Sequence, residues 1–134
     1  AGYKLETSRG VIVYASDNEL NHVGQATHLP KETVKHMHDR FVATLKGAKV
    51  LIHDAQYTKD EYEDKVGWGH SCVDDVVELA GEANVEHLVL FHHDPCRTDA
   101  QINLLLRDAR ALAVSKGFHS MRISAAREGM EIGL

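Results

Sequence analysis

The stretch HLVLFHHDP, residues 87–95, is an apolar run that ends in two adjacent histidines and an aspartate. A short run of branched and aromatic residues of this length predicts a buried strand. The stretch AKVLIHDA, residues 48–55, has the same form and ends in His53 and Asp54. A helical pattern follows each run, so the two stretches predict strands of an α/β sheet with polar side chains at the strand ends.

The rest of the chain alternates between the same two kinds of element. Helices are predicted where apolar residues recur at helical spacing, as Val34, Met37 and Phe41 do, and Ser71 is predicted to cap the helix that follows it. The predicted elements are a hairpin at 3–7 and 11–16, a long loop at 17–30, helices at 30–46, 71–83 and 99–116, strands at 48–55 and 85–93, and one or two strands at 120–132. This order predicts an α/β layer architecture in a single segment, residues 1–134.

Length, charge and cysteine content limit the possible classes of protein. A chain of 134 residues is one small domain or a fragment of a larger one, and its net charge of −5 argues against binding nucleic acid through bulk phosphate attraction. Two cysteines, Cys72 and Cys96, are too few for a disulfide framework, which predicts a reducing, cytoplasmic setting. No apolar run is long enough to span a membrane, and ten histidines hint at metal chemistry.

Metal-capable side chains recur at the ends of the predicted strands. Asp17 follows the hairpin, His53 and Asp54 follow the next strand, and His92 and His93 follow the one after it. In an open α/β sheet, ligands collect outside the carboxyl ends of the strands. Carboxylates and imidazoles bind hard to borderline divalent ions, so these groups predict a metal site at one edge of the sheet. The alternative is that each residue only caps a strand or faces solvent.

Four signals come in the order VIVYASDNE, AKVLIHDAQY, GHS and LVLFHH. In this order they resemble the later half of metallo-β-lactamase-fold hydrolases, in particular the ribonuclease Z and phosphodiesterase branch. The resemblance implies that the chain is the C-terminal half of a four-layer αββα sandwich. The family's main ligand cluster, H-x-H-x-D-H, does not occur in the sequence. The N-terminal half that carries it is therefore expected to be absent, and the inner face of the sheet is expected to need a partner surface.

The resemblance also implies a role for each matched residue. Asp17 matches an aspartate that bridges two metal ions, and His92 matches a terminal imidazole ligand. His70 matches the histidine that protonates the leaving oxygen, and Asp54 stands where the family has a glutamate that orients this histidine. Aspartate is one methylene shorter, which leaves open whether Asp54 reaches His70. The simpler alternative for Asp17 is an Asx turn, and for His70 it is an exposed loop position. His93 either contacts the site or the substrate, or is simply exposed.

The function implied is metal-dependent hydrolysis of a phosphodiester at a dinuclear site. Two divalent ions are expected, with zinc first because the ligands mix imidazole with carboxylate, and with manganese or iron as alternatives. The chain alone is expected to be inactive, because the family pattern places only about two of roughly seven metal ligands in it. Its expected partner is the N-terminal half of the fold or another protein chain.

The expected substrate is a small phosphodiester such as a cyclic nucleotide. An RNA substrate is less expected because the chain is acidic and shows no basic arm. Thioester or lactam hydrolysis is a further possibility that fold analogy does not settle. The competing class is a non-catalytic half-domain that serves as a binding or dimerisation module. It predicts that Asp17, His70 and His92 do not keep the geometry of an active site. No membrane partner is expected.

Overall fold

The computed structural model describes residues 2–20 and 29–134, so the loop predicted at 17–30 lies largely outside the described residues. The strands are β1 (Gly2–Thr7), β2 (Gly10–Ala15), β3 (Val50–Asp54), β4 (His87–Phe91) and β5 (Arg122–Ala125). The helices are α1 (Lys31–Leu45), α2 (Lys59–Tyr62), α3 (Val73–Glu82) and α4 (Asp99–Ser115). Among these helices, none combines the length and the apolar character that crossing a membrane requires.

The described strands form one sheet of five in the order β1-β2-β3-β4-β5. β1 pairs antiparallel with β2, as the predicted hairpin requires, and the strands from β2 to β5 run parallel. Parallel neighbours need a long crossover connection, and α1, α3 and α4 lie in the three crossovers. The sheet and its helices confirm the predicted α/β class.

One face of the sheet forms the hydrophobic core with the helices. Side chains alternate between the faces along a strand, and the strand register aligns Val13, Leu51, Leu88 and Ile123 in a row across β2 to β5. Each of these side chains is at most 3% exposed. The helical residues in the same cluster include Val73, Val76, Val77, Leu79, Ala80, Leu105, Ala109 and Ala113. This packing holds the ends of the parallel strands side by side.

The opposite face of the sheet carries apolar side chains that are less buried. Tyr3 of β1 is 65% exposed and Leu5 is 55% exposed. Tyr14 of β2 lies near both Tyr3 and Phe91, with ring centroids 6.5 Å and 5.6 Å away. These exposed side chains leave an apolar surface on one sheet face, and the partner surface expected to cover it stays a prediction.

Local details differ from the sequence prediction. The sequence does not predict α2, a short helix that begins with a capping box between Thr58 and Glu61. Cys72 occupies the N-cap position of α3 without a capping hydrogen bond from its side chain, and the predicted cap Ser71 donates its hydroxyl to the Asn18 carbonyl oxygen instead. Only one strand, β5, forms within the segment predicted to hold one or two, and residues 126–134 are irregular.

Replacing Leu51 by alanine should destabilise the fold strongly. Its side chain is 0% exposed in the middle strand of the sheet, and the lost contacts together with the cavity cost about 2–5 kcal/mol. The matched control is Leu104→Ala on α4, where the residue is 50% exposed and a surface change stays within about 0.5 kcal/mol. Urea denaturation measures both free energies of unfolding. Equal losses of unfolding free energy in the two variants would mean that the helix-covered face of the sheet is not the core.

Candidate metal and acid–base site

Asp17 lies just beyond the end of β2 and has a left-handed backbone, with a φ of 49°. The Ser16 hydroxyl donates to Asp17 Oδ2 at 2.9 Å. This hydrogen bond lowers the pKa of the Asp17 carboxyl, and the imidazoles of His92 and His70 lower it further. The side chain is 65% exposed, so the carboxylate is ionised and accessible at the edge of the sheet.

His92 follows β4 directly and is also left-handed, with a φ of 57°. Residues other than glycine rarely adopt this conformation, and those that do are concentrated at functional sites. His92 Nε2 lies 3.6 Å from Asp17 Oδ1, and His92 Nδ1 lies 3.4 Å from Asp54 Oδ2. Among the described residues, His92 Nδ1 is buried and makes no hydrogen bond. The ring therefore lies between two carboxylates, with one nitrogen near each.

Asp54 does reach His70, which the sequence left open. Asp54 ends β3 and is fully buried, and His70 Nδ1 lies 2.7 Å from Asp54 Oδ2. The other carboxylate oxygen accepts from the Ser71 amide at 3.1 Å. The shorter aspartate reaches His70 because the loop before α3 is held against the chain after β3 by a parallel bridge between Tyr57 and Cys72.

This contact determines which nitrogen of His70 is free. An ionised carboxylate only accepts hydrogen bonds, so the proton is assigned to His70 Nδ1 and Nε2 is left for an ion or a substrate. The His70 ring stacks on His92, with centroids 4.8 Å apart and an angle of 18° between the planes. The structure thus brings Asp17, Asp54, His70 and His92 to one edge of the sheet, as the sequence predicts.

Three of these side chains offer a set of metal donors. One oxygen of Asp17 and one nitrogen each of His70 and His92 lie within 4.8 Å of one another. Two imidazoles and a carboxylate are a donor set that zinc accepts, at ligand distances of about 2.0–2.2 Å. The sequence assigns only Asp17 and His92 to metal binding, whereas the geometry also places a nitrogen of His70 in the same group of donor atoms.

His53 lies beneath the site rather than in it. It is fully buried, and its Nδ1 lies 2.7 Å from the Asp54 carbonyl oxygen while its Nε2 lies 3.1 Å from Asn18 Nδ2. The amide donates to Nε2, so the imidazole is neutral with its proton on Nδ1. Burial lowers the pKa of His53, which favours the same neutral form. The ring ties the end of β3 to the segment that follows Asp17.

His93 is not among the three clustered donors. Both of its ring nitrogens are buried, and this burial lowers the pKa of the imidazole. Plain exposure of His93, one of the alternatives that the sequence left open, is therefore not what the structure shows. Its contact with the site or the substrate stays a prediction.

Residues 18–20 belong to the site, although the sequence does not indicate them. The Ser71 hydroxyl, next to His70, donates to the Asn18 carbonyl oxygen and accepts from the Leu20 amide at 3.2 Å. These bonds join two loops that are far apart along the chain. The sequence feature that could have indicated a role for residues 18–20 is the run DNEL after β2, and such a run is equally typical of a turn.

Acid should destabilise the folded chain through His53. Burial lowers the pKa of His53 from the ordinary value of 6.5. As the pH falls, the unfolded state therefore protonates His53 at a higher pH than the folded state does. The free energy of unfolding therefore falls as the pH falls, by up to about 1.4 kcal/mol per pH unit for one group. Denaturation of the wild type and of His53→Gln, at about pH 7.5 and about pH 5.5, measures this contribution.

His87 and His93 also have lowered pKa values because of burial, so the wild-type slope contains their contributions too. Only the difference between the wild type and His53→Gln reports His53 itself. An identical slope in the two proteins would show that His53 takes up its proton equally in the folded and unfolded states.

No protein-family model matches the chain. Several curated relatives do, under the name ribonuclease Z. The one from Thermoplasma acidophilum is 38% identical over 73 residues, which are 54% of this chain and 23% of the relative. The one from Halalkalibacterium halodurans is 43% identical over 47 residues, 35% of this chain and 15% of the relative. The one from Archaeoglobus fulgidus is 29% identical over 89 residues, 63% of this chain and 29% of the relative. The matches span less than a third of the length of each relative.

A solved structure has the same fold. The metallo-β-lactamase fold protein YhfI from Bacillus subtilis superposes with a TM-score of 0.62 and 17% sequence identity, over 96% of this chain and 47% of that one. This chain therefore spans about half the length of that protein. The chain has the architecture of part of a metallo-β-lactamase fold and is similar in sequence to ribonuclease Z, which confirms the predicted resemblance to that branch of the fold.

Proposed function

We propose that this chain carries part of the active site of a metal-dependent phosphodiesterase. The observation that supports the proposal most directly is the convergence of Asp17, His70 and His92, with donor atoms within 4.8 Å of one another. Asp54 lies behind them and is hydrogen-bonded to His70. A non-catalytic half-domain has no need to retain this arrangement, so the geometry favours an enzyme over a binding or dimerisation module.

Asp17 and His92 are the residues proposed to hold a divalent metal ion. Such an ion supplies Lewis acidity toward phosphoryl oxygens and activates water for attack. Asp17 offers an exposed, ionised carboxylate, and His92 is held between that carboxylate and Asp54. Zinc is the first candidate because the donors are imidazole and carboxylate, and manganese or iron accept the same set. A second ion is part of the proposal, and Asp17 would help to hold both ions.

His70 is proposed as the general acid for the leaving group. The Asp54 carboxylate orients the ring through Nδ1. In the imidazolium form Nε2 carries a second proton, and Nε2 is the atom that hands this proton to the departing alkoxide, which leaves the neutral ring with its proton on Nδ1. The Ser71 amide occupies the other oxygen of Asp54 and prevents that carboxylate from turning away. His70 is 19% exposed, which limits its contact with water without closing it to a substrate.

We propose that an N-terminal half of the fold, or another chain, completes the site. The two ligands proposed from this chain, Asp17 and His92, leave a dinuclear site short of donors. The partly exposed apolar face that carries Tyr3 and Leu5, and the 47% coverage of the YhfI structure, support a second half that packs there. The missing H-x-H-x-D-H cluster is expected on that half, and this chain alone is expected to be inactive.

The proposed substrate class is RNA, because the curated relatives carry the name ribonuclease Z. The acidic composition, with a net charge of −5, instead favours a small diester such as a cyclic nucleotide, which is kept as the second candidate. We also propose a reducing, cytoplasmic setting, since Cys72 and Cys96 are both free thiols. Burial raises the pKa of the Cys72 thiol to about 11, so it is not a reactive nucleophile.

Alanine at His92 and at His70 should affect different steps in the protein with a complete site. His92→Ala should lower metal content and activity together, and excess metal should restore part of both. His70→Ala should leave metal content unchanged and lower kcat by about 10²–10⁴ for a diester with an alkoxide leaving group. For a nitrophenyl diester, whose leaving group departs without a proton, the loss should be much smaller. Metal analysis and turnover of both substrates measure these effects.

The matched control is His119→Ala, which removes an exposed histidine that the structure does not place at the site. It should change neither metal content nor kcat. Loss of metal from His70→Ala to the same degree as from His92→Ala would make His70 a ligand and remove the acid role. Equal losses of kcat for both leaving groups would also remove the acid role, while leaving the metallohydrolase proposal in place.

The two substrate classes are distinguished by kcat/KM for an RNA oligonucleotide and for a cyclic nucleotide. We expect the oligonucleotide to be the better substrate, with activity that a chelator abolishes and zinc or manganese restores. Preference for the cyclic nucleotide would instead support the small-diester candidate. Chelator-resistant cleavage of both substrates would contradict the proposal of a metal-dependent hydrolase.

A further inference from the structure

Glu19 accepts hydrogen bonds from three different residues of the region that leads to His70. Glu19 Oε1 accepts from the Tyr62 hydroxyl and from the Gly67 amide, each at 2.6 Å, and Oε2 accepts from the Gly69 amide at 2.9 Å. Bonds to an ionised acceptor are short and roughly twice as strong as neutral ones. One carboxylate therefore holds the segment immediately before His70.

The two glycines have backbone conformations that suit this contact. Gly67 has a φ of 86° and Gly69 a φ of 89°, a region that other residues rarely adopt. In these conformations the amides of Gly67 and Gly69 both face the Glu19 carboxylate. The two glycines of the run GWG before His70 therefore allow the loop to wrap around the Glu19 carboxylate.

Tyr62 provides the fixed end of the contact. It is 5% exposed at the end of α2 and stacks on Tyr57, with ring centroids 6.3 Å apart. Burial raises the pKa of the Tyr62 hydroxyl, and the hydrogen bond to Glu19 raises it further, so the hydroxyl remains a donor at any ordinary pH. The Glu19 carboxylate is thereby bonded to a buried side chain as well as to the backbone of two glycines.

Glu19 also lies two residues after Asp17, on the segment that carries the proposed metal ligand. The Ser71 hydroxyl bonds to the main chain of Asn18 and Leu20 on either side of Glu19. The Asp17 segment therefore contacts the His70 loop both before and after His70. With the chain held at both points, the spacing between Asp17 and His70 is determined by these contacts.

We propose that Glu19 is a positioning residue that sets His70 against Asp17 and His92 for the reaction. The inference rests on the function proposed above, and it gives a role to a residue that has none in the sequence prediction and lies outside the donor cluster. Its physical basis is that two carboxylate oxygens receive three donors in the described structure. Glutamine offers one acceptor oxygen and adds an N–H group, so Glu19→Gln places a donor against a donor.

The test is Glu19→Gln in the protein with a complete site. We expect kcat to fall by about tenfold to a hundredfold for a diester with an alkoxide leaving group, the loss that a misplaced catalytic group brings. KM and metal content should change little. The loss should shrink for a nitrophenyl diester, and it should vanish when Glu19→Gln is combined with His70→Ala, because Glu19 acts through His70.

A second measurement does not depend on activity. Amide hydrogen exchange at Gly67 and Gly69 should become faster by about tenfold or more in Glu19→Gln. Exchange at the Ala55 amide, which donates to the Phe91 carbonyl oxygen just beyond the end of β3, should be unchanged. Glu78→Gln is the matched control, since that glutamate pairs with Lys116 on the surface. It should change neither exchange at the glycines nor kcat.

If Glu19→Gln does not fold, Tyr62→Phe removes one of the three donors and leaves the carboxylate in place. It should give a smaller loss of kcat with the same dependence on His70. A loss from Glu19→Gln that persists in the His70→Ala background, or that follows metal content, overturns the positioning role. So does full kcat in Glu19→Gln. A wild type without metal-dependent hydrolysis overturns the proposed function instead, and the exchange data then still report whether Glu19 holds the loop.

Discussion

The buried carboxylate of Asp54 is the interaction on which the candidate site depends. It lies at the end of the middle strand with no exposure and accepts from His70 Nδ1 and the Ser71 amide. An ionised carboxylate away from water costs several kcal/mol unless it is hydrogen-bonded, so the loop that carries His70 is held over the strand end. Asp54 Oδ2, the oxygen that contacts His70, also lies 3.4 Å from His92 Nδ1. One buried group therefore determines where both imidazoles stand relative to the sheet.

The sheet register explains why so much of this arrangement is visible in the sequence. Ala15 pairs with His53 and Asp54 pairs with Phe91, so the residues that leave β2, β3 and β4 emerge next to one another. Apolar runs that end in polar residues mark those strand ends locally, and parallel connections bring them to one edge. The strands, the long helices and the strand-end residues Asp17, Asp54 and His92 were predictable for this reason, whereas His70 was predicted only through the family resemblance.

The contacts between loops were not predictable in the same way. Ser71 satisfies the usual preference for a helix cap, yet its hydroxyl bonds to Asn18 and Leu20, residues more than 50 positions earlier in the chain. Glu19 in the sequence is an ordinary polar residue after a strand, and its partners Gly67 and Gly69 only become partners once the sheet has formed. Local preference describes the elements, whereas these bonds depend on which loops the fold places together.

At Asp17 and His92, the residue that best suits the backbone conformation differs from the residue that the proposed chemistry requires. Each is a non-glycine residue with a left-handed backbone, a conformation that costs up to roughly 1–2 kcal/mol for residues with a Cβ atom and less for aspartate. Glycine at either position would relieve that strain, and would also remove a proposed metal ligand. Directed evolution of this chain for heat resistance alone would therefore favour glycine at the two strand ends and discard the site. A selection scheme that keeps metal binding as a second criterion is the way to improve one property without losing the other.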